Sequence, residues 1–145
     1  FAPLEDFTSN DSSISNGIIN GAQQYGSMEG GGDSKIANNG NTDVSPQNNF
    51  ADDDIISFAF DIDGGTLGIY RNGSLDRTIS SIPADTYIPI GGDSSSTDAS
   101  LSFNFGSPSY SESGGNSDGS GYGNFSMAVP SGYFSICTKN LAEYG

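Results

Sequence analysis

The amino-acid sequence predicts an all-β protein with the architecture of an antiparallel β-sandwich. Apolar residues occur in short runs in which they alternate with polar ones, as expected of half-buried strands. These runs are separated by clusters of Gly, Ser, Asn and Asp, which favour turns. No stretch shows helical periodicity, so about six strands and no helix longer than one turn are expected from residue 50 onward.

The clearest element is a three-stranded meander over residues 55–79. Its first strand is indicated by strict apolar alternation over residues 56–62, and Asp-Gly-Gly at 63–65 supplies a turn. The Asn-Gly pair at 72–73 favours a two-residue type I′ turn, which needs positive φ at both central residues. A third strand is then expected over residues 75–79.

The chain is short enough for one domain, divided into an N-terminal segment over 1–49 and a core over 50–145. The N-terminal segment is predicted to be rich in loops, with two or three short strands near Tyr25 and Ile36. In the core, further strands are predicted over 86–90, 101–105 and 133–138. Residues 109–123, rich in Gly, Ser and Asn, are predicted to form an exposed, flexible loop.

Charge excludes several classes of partner. Eighteen acidic residues against four basic ones give a net charge of −14. Binding to a nucleic-acid backbone or to an anionic membrane requires clustered Lys and Arg, so neither partner is expected. No apolar run approaches the length of a membrane span, and membrane insertion is not expected. The few aliphatic residues leave disorder as an alternative, but their concentration in patterned runs favours folding.

Two stretches resemble a known family. Residues 56–74 read ISFAFDIDGGTLGIYRNGS, and residues 129–141 read VPSGYFSICTKNL. The first resembles the central hairpin of SPRY domains, and the second is similar to the end of SPRY modules in bacteriophage structural proteins. The resemblance covers roughly residues 26–141. It implies a concanavalin A-like jelly roll located in a virion, for example in a tail fibre, a head fibre or a capsid-decorating protein.

The chain departs from that family pattern at its N-terminal side. SPRY modules usually begin with a longer half that contains an aromatic, Trp-bearing strand, whereas this chain has no Trp. The fold is therefore expected either to lack its first strands or to borrow them. The open edge would then be covered by residues 1–49 or by a neighbouring subunit, so a homo-oligomer assembled with other virion subunits is expected.

Acidic residues near the meander raise the question of calcium. Weak candidate ligands are Asp52, Asp54, Asp61 and Asp63. An EF-hand is excluded, because Asn72 stands where the bidentate Glu is required. Neighbouring Asp residues on a strand also point to opposite faces. We therefore expect no metal and no cofactor, and interpret these residues as a solvated strand start and a turn.

Catalysis is not expected. The chain contains no His, so a Ser-His-Asp triad is impossible and Cys137 has no imidazole to activate it. Cys137 is interpreted as a small buried hydrophobe. Glycoside hydrolysis needs two carboxyl groups at a defined separation, and the four Glu residues all stand in loop-like or terminal contexts.

Two non-enzymatic functions remain, an assembling structural subunit and a receptor- or glycan-binding module for host attachment. The second rests on aromatic rings in predicted loops, which suit stacking on a sugar. The candidate rings are Tyr25, Tyr87, Tyr110 and Tyr122. For each ring the alternative is that it lies at the rim of the core.

Overall fold

The computed structural model describes residues 1–3, 25–30, 33–39, 41–43, 51–91 and 100–144. Within these ranges the regular structure is almost entirely β, which confirms the predicted class. Strands pair into one two-stranded and two three-stranded sheets, each antiparallel where described. The elements are β1 Ala2–Pro3, β2 Tyr25–Gly30, β3 Asp33–Asn38, β4 Asn41–Asp43, β5 Ile56–Asp61, β6 Thr66–Arg71, β7 Ser74–Ile79, β8 Tyr87–Ile88 and α1 Thr138–Tyr144.

The predicted meander is confirmed as the sheet β5–β6–β7. Arg71 lies opposite Ser74, so the turn between β6 and β7 has two residues. Asn72 has φ 49° and Gly73 has φ 81°, as a type I′ turn requires. At the other hairpin, Gly65 has φ 61°, and a Cβ there would lie 2.7 Å from the carbonyl oxygen of Ile82. Both turns therefore depend on glycine.

One irregularity in β7 decides which residues reach the core. Leu67 lies opposite Ile79 and Ile69 opposite Arg77, but Tyr70 lies opposite Leu75. Asp76 is thus an extra residue, a one-residue bulge that reverses the faces of the strand. Leu75 consequently lies on the face away from Leu67, and it is 57% exposed.

The hydrophobic core is small and lies on one face of the meander. Leu67, Ile69 and Ile79 are at most 3% exposed, and Ile82 and Tyr25 complete the buried cluster. Four partly buried side chains cover it further: Phe1, Ile56, Phe60 and Tyr87. The N-terminal strands thus supply part of the cover for the meander, through Phe1 and Tyr25.

The described part of residues 1–49 contains four short strands, β1 to β4, where the sequence predicts two or three. β2, β3 and β4 form an antiparallel meander in which Tyr25 lies opposite Asn38. Phe1 connects this sheet to the rest, because its carbonyl oxygen accepts a hydrogen bond from the Tyr25 amide at 2.9 Å. The other predictions for this segment concern residues outside the described ranges.

Three predicted strands differ from the structure. The strand expected over 86–90 is reduced to the two residues of β8, which lie between Pro83 and Pro89. Residues 101–105 carry the expected alternation but belong to no strand. Residues 133–137 are likewise outside any strand, and the chain then enters α1, a helix longer than the single turn allowed for. A strand requires a hydrogen-bonded neighbour, which an apolar pattern alone does not supply.

Candidate functional site

The four candidate rings do not form one binding face. Tyr25 lies in β2 with 2% of its surface exposed, and burial raises the pKa of its hydroxyl. Tyr87 packs beside it, with ring centroids 6.0 Å apart, and donates a hydrogen bond to the Pro83 carbonyl at 2.9 Å. Tyr25 belongs to the core and Tyr87 packs against it, so both rings fit the alternative given for them, a place in or beside the core.

The other two candidate rings lie in the C-terminal region, which we define as residues 100–144. Tyr110 is 39% exposed. Tyr122 is half-buried beneath the Lys139 ammonium, which lies 5.0 Å from the ring centroid. Its hydroxyl is 3.5 Å from a carboxylate oxygen of Glu143. Tyr122 therefore packs against α1 rather than extending toward solvent.

Two of the calcium candidates, Asp54 and Asp61, bind other groups of the protein, and the other two are exposed to solvent. Asp54 forms a salt bridge with Arg71 at 2.6 Å and accepts hydrogen bonds from the Ala51 amide and the Asn72 side chain. These bonds, the Ala51 amide first, lower the pKa of Asp54 to about 2. Asp61 accepts from the Gly64 amide at 2.8 Å, as in a side-chain-capped turn.

Asp52 and Asp63 are exposed. Within the described ranges no three acidic, His or Cys side chains gather as a metal site would require. Two of the four carboxylates therefore hold backbone turns in place, those of Asp54 and Asp61, and Asp54 does so beside the Asn72 turn.

Among the described residues, the polar group with the most hydrogen bonds is one that the sequence analysis does not single out. Asp118 is only 6% exposed, although it lies in the segment 109–123 that was predicted to be an exposed loop. One carboxylate oxygen accepts hydrogen bonds from the Ser135 amide at 2.9 Å, the Ser135 hydroxyl at 2.7 Å and the Asn140 side chain at 2.7 Å. The other accepts from the amides of Ser120 and Tyr122.

These five donors determine the charge state of Asp118. Burial alone would raise the pKa of the carboxyl, but the hydrogen bonds from Ser135, Asn140 and Tyr122 outweigh it and hold the pKa well below its usual range. A buried carboxylate is costly unless it is hydrogen-bonded. The Asp118 cluster, which comprises Asp118, Ser135 and Asn140, therefore joins the loop to the closing segment of the chain.

The rest of segment 109–123 is also tied down. Glu112 accepts hydrogen bonds from the Gly114 amide at 2.9 Å and from the Ser126 hydroxyl, and the latter bond is the main cause of its lowered pKa. Asn116 and Phe125 form an antiparallel bridge. The prediction of a wholly exposed loop is therefore wrong at Asp118, because polar contacts replace apolar ones in ordering the segment.

Cys137 stands next to this cluster, half-buried, at the start of α1. Its carbonyl accepts the first helical hydrogen bond, from the Leu141 amide at 2.9 Å. The Ser135 hydroxyl lies 3.3 Å from the Cys137 sulfur, and this contact, followed by the Asn140 amide, lowers the pKa of the thiol. Cys137 thus caps the helix. Ser135 is a poor nucleophile, since its hydroxyl is 7% exposed and already bonded to Asp118.

Exposed apolar side chains mark a second feature of the C-terminal region. Six large ones are between 43% and 57% exposed. We call them the apolar set, which consists of Leu101, Phe103, Phe105, Phe134, Ile136 and Leu141. The rings of Phe103 and Phe105 stack on one another, with centroids 6.3 Å apart and planes 8° from parallel. Large apolar side chains that form a contiguous exposed patch are characteristic of interaction surfaces.

The charge of the chain is divided unevenly along the sequence. Residues 1–98 contain fifteen acidic and three basic residues, a net charge of −12, whereas residues 99–145 contain three acidic and one basic, a net charge of −2. Residues 99–111 and 119–138 contain no charged side chain at all. The apolar set, apart from Leu141, therefore lies on stretches of the chain that carry no charged side chain and add nothing to the repulsion between two acidic molecules.

Comparison with known proteins supplies no relative. No family model matches the chain, and neither a curated protein nor a solved structure is similar to it. Among the described residues no helix has the length and apolar character to cross a bilayer.

Proposed function

We propose that this protein is a non-enzymatic structural domain of a bacteriophage virion that mediates subunit assembly through its C-terminal region. The observation that supports this most directly is the apolar set, six half-exposed apolar side chains in the part of the chain that carries little charge. A tail fibre, a head fibre or a capsid decoration is the setting that the resemblance to phage SPRY modules favours.

The size of the apolar set suits a protein interface. A Phe, Tyr or Trp side chain buries roughly 150–250 Å² when fully covered, so the three half-exposed Phe rings of the set offer about 300 Å², to which the three aliphatic side chains add. A standard interface covers about 800 Å² on each partner. On this proposal the fold is a SPRY-like sandwich whose second layer is completed on assembly by residues 101–105 and 133–137, which lie outside the strands of the single chain.

Glycan binding is the weaker proposal. It needs several exposed rings on one surface, yet Tyr25 and Tyr87 lie in the core and Tyr122 packs under Lys139. Catalysis is likewise disfavoured by the absence of His and by the engagement of the Ser135 hydroxyl with Asp118.

The test compares two leucines of equal exposure in different regions. Leu101 is 56% exposed in the C-terminal region, and Leu75 is 57% exposed in the meander. Particles of the encoding phage would be purified with the wild-type chain, with Leu101→Asp or with Leu75→Asp, and the incorporated copies counted by mass spectrometry and located by electron cryomicroscopy.

We expect the wild-type chain and Leu75→Asp at symmetric, repeated positions on the particle, and loss of at least ten-fold in copy number for Leu101→Asp. Circular dichroism would show that both variants fold. The proposal fails if the wild-type chain is absent from particles, or if Leu101→Asp is incorporated as well as the wild type.

A further inference from the structure

The backbone of residues 101–103 is the strongest unexplained feature of the molecule. Within the described ranges, the amides and carbonyls of Leu101, Ser102 and Phe103 have no hydrogen-bond partner. Just beyond them the chain is anchored, because Asn104 donates to the Asn124 carbonyl at 2.8 Å and the Gly106 carbonyl accepts from the Asn124 amide at 3.0 Å. A segment that is anchored at one end and has unpaired backbone groups is a template for an added strand.

We infer that residues 101–105 pair with the same residues of a second copy of this chain, forming an antiparallel two-stranded ladder across a two-fold axis. This inference rests on the proposed function and names the partner of that surface. In antiparallel self-pairing centred on Phe103, Leu101 lies opposite Phe105 of the second copy, and Phe103 lies opposite itself. Every apolar residue then meets an apolar one.

No other register does this as well. A ladder centred on Ser102 would place Leu101 opposite Phe103 but would leave Phe105 facing Ala99. Because side chains alternate with a period of two, the register centred on Phe103 also keeps Ser102 and Asn104 together on the opposite face. The self-complementary pattern Leu-Ser-Phe-Asn-Phe therefore selects a single register.

Charge favours a second copy at this edge despite the overall charge of −14. Two copies of so acidic a protein repel each other at long range. The thirteen residues 99–111 contain no charged group, so the segments that approach most closely carry none of that repulsion. The exposed halves of Phe103 and Phe105 supply the apolar surface that is buried on contact.

Disulfide trapping tests the register. In the proposed ladder the two copies of residue 103 are directly opposed, about 4.5–5.5 Å apart between Cα atoms, which is within reach of a disulfide. The two copies of residue 101 are offset by four residues, roughly 13 Å, which is out of reach. Both test variants would also carry Cys137→Ser, which removes the native thiol and keeps a side chain that caps a helix well.

Under mild oxidation we expect Phe103→Cys/Cys137→Ser to form a covalent dimer, and Leu101→Cys/Cys137→Ser to form at least ten-fold less of it. Hydrogen exchange of the wild-type chain gives a second readout that needs no substitution. Alternate amides within residues 101–105 should become protected as protein concentration rises, in step with dimer formation measured by sedimentation.

Equal cross-linking at both positions, or protection that does not change with concentration, would overturn the inferred pairing. If the pairing fails while Leu101→Asp still abolishes incorporation into particles, the assembly function stands and the partner at this edge is another virion protein. If the pairing holds and incorporation is unaffected by Leu101→Asp, the chain dimerises but the virion proposal fails.

Discussion

The meander and the C-terminal region are stabilised in opposite ways. In the meander, ladders of backbone hydrogen bonds join three strands, and one face buries Leu67, Ile69 and Ile79. In the C-terminal region the apolar side chains are largely exposed, and the buried groups include a carboxylate, a hydroxyl and an amide, those of Asp118, Ser135 and Asn140. A region that keeps its apolar residues outside and its polar residues inside is suited to contact with another protein surface.

The largest expected effect is the loss of stability when a buried leucine of the meander is shortened to alanine. The same substitution at an exposed leucine of the C-terminal region provides the comparison. Leu67→Ala empties a fully buried site and should lower the free energy of unfolding by about 2–5 kcal/mol. Leu101→Ala removes a 56% exposed side chain and should change the monomer by about 0.5 kcal/mol or less. Urea denaturation at low protein concentration measures both. Similar losses for the two variants would mean that the C-terminal region has its own apolar core.

The polar interior of the C-terminal region should respond strongly to loss of its carboxylate. Asp118→Ala removes the acceptor of the buried Ser135 amide, and it also removes one hydrogen bond each from the Ser135 hydroxyl and the Asn140 side chain, at an expected cost of about 2–3 kcal/mol. The Ser135 amide should also exchange faster with solvent. Asp63→Ala, at an exposed turn position, is the control and should change neither measurement. Unchanged exchange at Ser135 in the Asp118 variant would show that the cluster does not hold the closing segment.

The meander should be sensitive at its turn. Gly73→Val forces a β-branched residue to φ 81°, at an expected cost of about 1–3 kcal/mol. Asn72→Gly keeps a residue that tolerates positive φ, although it removes the bond to the Ile55 amide, so it should cost less. Thermal denaturation ranks the variants, and wild-type stability of Gly73→Val would contradict the type I′ turn.

The smallest expected effect is a pH dependence at the start of the meander. The folded state holds Asp54 ionised with a pKa of about 2, below its ordinary value of 3.8. Its contribution is therefore fully present above about pH 4 and is lost as the pH falls toward 2. Asp54→Asn should be less stable than wild type at pH 5, and this difference should shrink by pH 2. A difference that stays constant between pH 5 and pH 2 would contradict this role.

The sequence predicted local structure better than long-range structure. The turn at Asn72-Gly73 was found because its chemistry is contained in two residues and their alternating flanks. The Asp118 cluster was missed because its partners lie 17 and 22 residues away, at Ser135 and Asn140. The run of Gly and Ser after Asp118 signals a side-chain-capped turn, but nothing in it signals burial.

Other differences have the same origin. α1 begins after Cys137, which is not among the residues that usually mark a helix start. Residues 101–105 have the pattern of a strand, but whether they form one depends on a neighbour that the pattern does not specify. The burial of Tyr25 depends on contacts with Phe1 and Tyr87, which the sequence around Tyr25 does not specify.

The bulge in β7 also bears on how this chain tolerates changes in length. Asp76 has no residue opposite it, so deleting it leaves Leu75 opposite Tyr70 and Arg77 opposite Ile69. Deleting Thr78 instead would shift part of the strand by one residue and turn its side chains to the wrong face. Asp76 is thus a position of the hairpin at which a residue can be gained or lost without changing which residues lie opposite one another.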